Sequence, residues 1–364
     1  MNSKERVLAA LNRLPADRIP FFMWFHPSTA RKLAGLLEIP VGYVGEAMGN
    51  DVRQAWVNNN YAMEGVVHEN ENEGHTDFWG VEWVKRGEFN QITRFPLEGA
   101  SREQVLAYKF PWGAMNMLLA QMKPLAASAG EYFIGVDVSP CVFEMYWRLR
   151  GMCEAMLDMA GDPELAQIMF GRCADFAVAL SQEACDKCAV DWLWTGDDVA
   201  GQQCMLISKE FWRDLAKPHL ERVVRVGIER GLPVAYHCCG ALHDIIGDLI
   251  EIGVDVLNPV QANCPGMDPL ELKKEFGEDL TFMGGVDTQH VLPHGSVDEV
   301  RRATARLVEG MTSDGGGYIL AASHTVPPET PDENLFAMYA EAGLSKEEIL
   351  DCAAGIRATL QAGA

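Results

Sequence analysis

The sequence predicts an α/β protein that folds as a (β/α)8 TIM barrel, with residues 1–364 forming one domain. The chain has 364 residues, of which 48% are hydrophobic, and this is enough to bury a large core. Short apolar runs recur along it, each followed by a polar or glycine-containing cluster and then by an amphipathic stretch with helical spacing. This alternation is typical of βα units, whose strands form a parallel sheet.

The elements can be assigned in chain order. A first helix is predicted at about 3–13, because a serine at the cap position precedes apolar residues at helical spacing, and LPADRIP ends it. Seven strands are predicted from apolar runs at 21–25, 132–138, 191–196, 233–240, 254–260, 280–287 and 317–323. The remaining strand is expected near 46–57, and residues 64–100 are expected to form an irregular or hairpin insertion.

Charge and composition limit the classes of partner. The 52 acidic and 30 basic residues give a formal net charge of -22, and no basic patch offsets it, so we expect no nucleic acid and no membrane as partner. The first residues carry charge and lack a long apolar stretch, which predicts no signal peptide, no transmembrane segment and a cytoplasmic location. The ten cysteines are then expected to be reduced thiols.

Polar residues stand at the predicted ends of the strands. Parallel strands of a barrel place their carboxyl ends on one face, where side chains from several strands meet. For each single residue an alternative stays open, because Asp also forms turns and caps helices. The residues at or directly after strand ends are His26, Asp137, Asp197, Asp198, His237, Cys239, Gln261, Asp287 and His324.

The segment YHCCG places two metal-binding side chains at the end of one strand. His237 and Cys239 alternate with Cys238, so they project to the same face, and imidazole and thiolate are both zinc ligands. A catalytic zinc takes three protein ligands, and we expect His324, after the last strand, to be the third. The alternative is a buried thiol beside a hydrogen-bonded histidine. Cys141, Cys204 and Cys264 also follow strand ends and are alternative ligands.

Further side chains near the strand ends are candidates for catalysis or substrate binding. Adjacent Asp197 and Asp198 cannot both face one point from an extended segment, so one of them is expected to be a structural acceptor or a helix cap. The catalytic candidates are Asp198, Asp287 and Asp137. The expected substrate-binding residues are His26, Asp51, Trp56, Glu144, Trp194, Gln261 and Tyr318. The chain has no glycine-rich phosphate motif, so a bound nucleotide is not expected.

Several segments together resemble the uroporphyrinogen decarboxylase superfamily over nearly the whole chain. That superfamily contains the heme-pathway decarboxylase and also cobalamin-dependent methyltransferases that carry a catalytic zinc, so the resemblance implies a barrel of this type. In the methyltransferases a His-x-Cys-Gly segment and a further Cys near the last strand hold the zinc. His237 and Cys239 match the first two positions, and His324 stands at the third. The matching segments are SKERVLAALNRLPADRIP, DDVAGQQCMLISKEFWRDLAKPHL, HCCG, IGVDVLNPVQ, FMGGVDTQHVLPHGSVDEV and GGYILAASHTVPPETPDENLFAMYAEA.

The resemblance implies a zinc-dependent methyltransferase that works with a corrinoid (cobalamin) on a separate protein. Its small-molecule partner would be a methyl ether or a thiol, and Asp198 and Asp287 would orient the substrate or the groups around the metal. No DxHxxG motif for cobalt occurs in the chain, so the corrinoid is expected on another protein. Histidine in place of cysteine makes the zinc a better acid for an ether oxygen, which favours the O-demethylation direction.

The alternative function is that of a metal-free decarboxylase of a tetrapyrrole, in which Asp51 or Asp137 would stabilise a protonated pyrrole. The decarboxylases of this superfamily bind substrate carboxylates through an arginine-containing RQAGR-type motif after the first strand. Here that region reads FFMWFHPSTAR and lacks the motif. A substrate with many carboxylates requires convergent arginines, so the methyltransferase is favoured.

Overall fold

The computed structural model describes residues 1–58, 68 and 70–362. Its strands are β1 Val52–Trp56, β2 Gly74–Thr76, β3 Glu82–Arg86, β4 Phe89–Arg94, β5 Phe133–Asp137, β6 Trp192–Gly196, β7 Val234–His237, β8 Val256–Val260, β9 Thr281–Val286 and β10 Tyr318–Ala322. Its helices are α1 Ser3–Leu11, α2 Pro27–Leu37, α3 Val44–Ala47, α4 Arg102–Ala107, α5 Met115–Leu119, α6 Phe143–Arg150, α7 Met152–Gly161, α8 Pro163–Lys187, α9 Lys209–Phe211, α10 Lys217–Ile228, α11 Ile246–Ile252, α12 Pro269–Phe276, α13 Val291–His294, α14 Val297–Met311, α15 Asp332–Glu341 and α16 Lys346–Ala362. Within the described ranges, none of these helices is both long and apolar enough to cross a membrane.

The chain divides into two compact units. The first unit consists of Met1–Arg53, Ala129–Phe133 and Val256–Ala364, and the second of Gln54–Ser128 and Ile134–Asp255. Both units contain parallel strands followed by helices, as the alternation of apolar and amphipathic segments predicts.

In the first unit, β8, β9 and β10 pair in parallel, with Leu257 opposite Phe282 and Phe282 opposite Tyr318. The predicted strand 21–25 is extended but forms only isolated bridges: the Phe22 N–H donates to the Leu320 carbonyl, and the Asn50 side chain binds both the N–H and the carbonyl of Met23. A side chain thus takes the place of a neighbouring strand at Met23, which interrupts a regular ladder.

In the second unit, β5, β6 and β7 pair in parallel, with Gly135 opposite Trp192 and Gly196 opposite His237. Every residue of β5 and β6 is buried, which fits strands covered on both faces. The strand expected near 46–57 is β1, and directly after it the N–H of Val57 donates to the Asp137 carbonyl at the end of β5.

The predicted insertion at 64–100 contains a three-stranded antiparallel sheet in the order β2-β3-β4. Gly74 lies opposite Val84, and the indole N–H of Trp83 donates to Asp77 Oδ2 at 2.7 Å. Residues 64–67 and 69 of the insertion lie outside the described residues.

The first helix is shorter than predicted, and its cap is different. Asn2 rather than Ser3 is the N-cap: its side chain accepts from the Glu5 N–H, and the Glu5 carboxylate accepts from the Asn2 N–H. This reciprocal pair is a capping box, which asparagine forms as well as serine does. At the other end Arg13 takes a positive φ of 55°, which ends the helical path.

Candidate metal centre

The pairing of β6 with β7 brings the two segments of the candidate site together. Gly196 lies opposite His237, and the Asp197 N–H donates to the His237 carbonyl at 3.1 Å. Asp198 and Cys239 each lie two residues beyond this pair, and the Cys239 N–H donates to Asp198 Oδ1 at 2.8 Å. Strand register therefore places a carboxylate beside the His-x-Cys segment.

Three potential metal-ligand side chains converge at these strand ends. Ligand atoms of Asp198, His237 and Cys239 all lie within 4.8 Å of one another, and Cys239 Sγ is 3.6 Å from His237 Nε2. All three residues are half-buried. The His237 ring lies beside the buried indole of Trp194, with ring centroids 6.3 Å apart.

A tight turn fixes Cys239. Gly240 has a φ of +97°, and a Cβ there would lie 2.4 Å from the carbonyl oxygen of Gly201. The same carbonyl accepts the N–H of Ala241 at 2.9 Å. Only glycine fits this approach between the two loops. Cys238, as expected from alternation, is fully buried.

A buried ion pair supports the Asp198 backbone. Glu144 and Arg148, one turn apart on α6, form an ion pair of 2.6 Å, and the second Glu144 oxygen accepts the Asp198 N–H at 3.0 Å. Burial raises the pKa of Glu144, and the Arg148 charge opposes this shift. Sequence reasoning did not single out Arg148, although the four-residue spacing from Glu144 is the signal for such a pair.

Asp197 and Asp137 are buried and differ from Asp198 in their partners. The Asp197 carboxylate accepts the N–H groups of Val142 and Glu144 at the start of α6, while burial raises its pKa to about 8. Asp197 is therefore the structural acceptor expected of one member of the pair. Burial also raises the pKa of Asp137 well above its ordinary value, and Ser139 opposes this by donating both its N–H and its hydroxyl to Asp137 Oδ1.

Two expected substrate-binding aromatics lie in the same unit. Trp56 is half-buried at the end of β1, and its indole N–H donates to the Ser139 carbonyl at 2.6 Å. Trp194, in the middle of β6, is fully buried and stacks at an angle on Trp192, with centroids 5.4 Å apart.

In the first unit, two expected substrate-binding residues have structural partners. Asp51 is fully buried and accepts hydrogen bonds from Arg6 at 2.5 Å, from Arg18 at 2.7 Å and from the Phe21 N–H at 2.9 Å. His26 is buried as the N-cap of α2, where its Nδ1 accepts from the Ser28 N–H. These contacts give both residues a role in folding, and their binding of substrate stays a prediction.

The remaining predicted residues of the first unit lie near the ends of β8, β9 and β10. Gln261 is buried directly after β8. Asp287 Oδ1 accepts the N–H groups of Gln289 and His290, which shapes the turn before α13. The buried Tyr318 hydroxyl donates to the Gly284 carbonyl at 2.7 Å and so links β10 to β9. His324 is exposed two residues after β10, and its function as a ligand stays a prediction.

The donor set of the second unit fits a zinc ion. Two ligands held at about 2.0 Å (nitrogen) and 2.3 Å (sulfur) around a tetrahedral ion lie about 3.5 Å apart, close to the 3.6 Å between His237 Nε2 and Cys239 Sγ. With the Asp198 carboxylate, the cluster offers one nitrogen, one sulfur and one oxygen, the ligand types that zinc uses in proteins. From the sequence, Asp198 is predicted as a catalytic residue and not as a zinc ligand.

Parallel βα units with a His, Cys and Asp cluster at strand ends define an α/β enzyme with a candidate metal centre. The chain belongs to the uroporphyrinogen decarboxylase (URO-D) family, whose model matches residues 115–343. It is an enzyme of the superfamily that includes these decarboxylases and related methyltransferases.

Comparison with known proteins agrees with this assignment. The chain is 22% identical to the methylcobamide:CoM methyltransferase MtbA of Methanosarcina acetivorans over 87% of its length and 92% of that protein. It is 29% identical to the uroporphyrinogen decarboxylase of Thermus thermophilus over 35% of each chain. A solved methyltransferase from Methanosarcina mazei superposes with a TM-score of 0.68 at 17% identity, covering 94% of this chain and 98% of the other. The prediction of an α/β barrel of the URO-D type is confirmed.

Proposed function

We propose that this protein is a zinc-dependent methyltransferase that moves a methyl group between a small methylated substrate and a corrinoid on a separate protein. The observation that supports this most directly is the convergence of Asp198, His237 and Cys239, with 3.6 Å between His237 Nε2 and Cys239 Sγ. Similarity to the MtbA methyltransferases over most of both chains supports the same class of reaction and the same kind of partner.

His237, Cys239 and Asp198 would hold the zinc, and His324 stays a predicted further ligand. When bound, zinc would supply Lewis acidity at the oxygen or sulfur atom that carries the methyl group. Holding the ligands in place is the task of this chain: strand register fixes His237 beside Asp198, and the Gly240 turn fixes Cys239. Glu144, paired with Arg148, holds the backbone of Asp198 by accepting its N–H.

The donor set favours the demethylation direction with a methyl ether. A carboxylate oxygen and an imidazole donate less electron density than thiolates, so they leave a metal more acidic toward an ether oxygen. In this direction the C–O bond of the substrate would break, and the reduced corrinoid of the partner protein would accept the methyl group and supply the electron pair that binds it. The released oxygen then takes one proton to give an alcohol or a phenol.

The tetrapyrrole decarboxylase alternative has less support. It depends on Asp51 or Asp137 as the carboxylate that stabilises a protonated pyrrole. Both oxygens of Asp51 already accept hydrogen bonds from arginines, and the pKa of Asp137 is raised, which favours its uncharged form. A carboxyl whose ionisation is opposed by burial is a poorer electrostatic partner for a cation than an exposed carboxylate.

A methyl-transfer assay tests the proposal. Zinc-loaded protein would be mixed with cob(I)alamin and a series of methoxybenzenes, and the visible spectrum would report formation of methylcob(III)alamin; the reverse direction would use methylcobalamin and thiols. We expect transfer in the ether series, its loss in Asp198→Asn, and no loss in the surface variant Asp175→Asn. Turnover of uroporphyrinogen without methyl transfer in either direction would overturn the proposal.

A further inference from the structure

The first unit contains a cavity of about 240 Å³, and none of the three proposed zinc ligands lines it. It lies between the end of β9, the loop after β8 and helix α14, and all of its lining residues belong to this unit. Its walls are mainly aliphatic and include Leu270, Val286, Leu292, Val300 and Leu307. A cavity of roughly 150 Å³ lined by such side chains holds benzene, so this volume accepts a ring with one or two substituents.

One hydroxyl group lining this cavity makes no hydrogen bond to the described part of the chain. Thr304, on α14, is 3% exposed, and its hydroxyl makes no hydrogen bond to any residue within the described ranges. By contrast, two hydroxyls in or at the end of helices donate to the carbonyl one turn back: Ser181 to Ala177 at 2.7 Å, and Thr312, the C-cap of α14, to Val308 at 2.8 Å. Because this hydroxyl opens into the cavity, it is available to a ligand, and a ligand that bonds to it gains affinity over one that cannot.

The rim of the cavity carries both signs of charge. Asp268 and Asp287 each use one carboxylate oxygen to accept two backbone N–H groups, and Arg306 contributes a guanidinium group. Arg306 lies three residues after Ala303, along the stripe of α14 that faces the cavity. The rim thus offers no excess of one charge, and a charged ligand would have to lose its hydration against the aliphatic walls, so the lining favours a neutral molecule.

We propose that this cavity binds a small neutral molecule with an apolar body and one hydrogen-bonding group, of the phenol or short-chain alcohol class. The apolar body would lie against Leu307, Val286 and Leu292, and its polar group would bond to the Thr304 hydroxyl. Because the proposed zinc ligands do not line this cavity, its ligand binding can be measured separately from the proposed methyl transfer.

The test is a titration of full-length protein, labelled at valine and leucine methyl groups, with phenol and with toluene. We expect saturable shifts of the Val286, Val300 and Leu307 methyl signals with both probes. Thr304→Val removes the hydroxyl at nearly constant volume, and it should weaken phenol binding about five-fold, equivalent to ~1 kcal/mol for one hydrogen bond, without changing toluene binding. Ala303→Phe fills the cavity and should weaken both probes at least about ten-fold.

Two controls make the result decisive. His237→Ala alters the metal cluster and should leave both titrations unchanged, so the outcome does not depend on the proposed methyl transfer. Circular dichroism checks that Thr304→Val and Ala303→Phe are folded. The proposal is overturned if neither probe saturates these methyl shifts, if Thr304→Val changes both probes equally, or if benzoate binds more tightly than phenol.

Discussion

Asp197 and Asp198 are neighbours in the chain but have unlike surroundings. Asp197 is 2% exposed and its carboxylate is held by backbone N–H groups at the start of α6, whereas Asp198 is half-buried and reaches His237 and Cys239. The alternation of an extended segment sends adjacent side chains to opposite sides. One carboxylate therefore organises the fold, and the other is available to a metal.

Glu144 should act on the metal through Asp198. In Glu144→Gln the charge that pairs with buried Arg148 is lost, so the support of the Asp198 backbone is weakened. Changes in groups that hold metal ligands typically reduce metal affinity about 10- to 100-fold, and we expect a loss in this range when zinc affinity is measured by competition with a chelating dye. Asp175→Asn, which breaks an exposed pair with Arg222, is the matched control. Equal zinc affinity in Glu144→Gln and wild type would refute this role.

Asp51 should contribute more to the stability of the fold than to substrate binding. Asp51→Asn leaves the guanidinium groups of Arg6 and Arg18 without their buried counter-charge, and breaking a buried pair in this way costs about 3–5 kcal/mol. Urea unfolding measures this loss. Asp17→Asn, a half-exposed partner of the same Arg6, should lose much less. Unchanged stability of Asp51→Asn together with lost activity would instead assign Asp51 to the substrate.

At the residue level, the sequence predicts that His237 and Cys239 lie together, but it does not predict that Asp198 lies beside them. His237 and Cys239 follow from alternation within one strand, which is local information. Asp198 reaches them only because Gly196 pairs with His237, and the register between two strands 40 residues apart depends on their packing. Likewise, Arg6 and Arg18, which donate hydrogen bonds to the Asp51 carboxylate, lie 45 and 33 positions away from it in the sequence.

At the level of elements, the turn after β7 should tolerate no side chain. In Gly240→Ala the new Cβ would lie 2.4 Å from a backbone oxygen, and the positive φ adds strain, which together should cost at least about 1–3 kcal/mol and displace Cys239. Gly247→Ala is the matched control, since it is exposed on α11 with nothing near its Cβ, and alanine favours helix. We expect lower thermal stability and zinc content only in Gly240→Ala. Equal values for both variants would contradict the strained turn.

The contact of α11 with the start of α10 should weaken in acid. Burial opposes ionisation of Asp248, but hydrogen bonds from Arg213 and Lys217 outweigh it, so its pKa lies below the ordinary value. A carboxylate with a depressed pKa stabilises the fold above the pKa of the unfolded chain, near 4, and loses this contribution as the pH falls through its folded pKa.

Asp248→Asn provides the measurement for this pH dependence. The difference in unfolding free energy between wild type and Asp248→Asn should be largest near neutral pH and should shrink below about pH 4. If this difference in unfolding free energy stays constant from neutral to acid pH, the ion pairs of Asp248 are not its cause.

Elements that depend on local pattern were predicted well, and those that depend on distant partners were not. Runs of buried apolar residues identify β5 to β10, because both faces of each strand are covered. Segment 21–25 has the same composition, yet the Asn50 side chain binds Met23 and a regular strand does not form. The N-cap of α1 lay one residue earlier than predicted, since Asn2 and Ser3 are both good caps.

At the scale of the whole molecule, the family and the barrel fold are established, and the reaction is proposed. The resemblance in the sequence pointed to this family through short segments at strand ends, where side chains serve function as well as folding. The net charge of -22 indicates that a partner protein would have to dock through a neutral or basic surface. Composition carries no information about the methyl donor, because substrate choice depends on the shape of a pocket.

Zinc content is the most direct test of the metal centre. Protein purified without chelator would be analysed by ICP-MS beside His237→Ala, Cys239→Ser and Asp198→Asn, with Cys153→Ser as an exposed cysteine control and His324→Ala to test the remaining predicted ligand. We expect about one zinc ion per chain in wild type and Cys153→Ser, and much less in the three cluster variants. Wild-type protein that takes up no zinc even after reconstitution, or cluster variants that keep it, would contradict the metal centre at these residues.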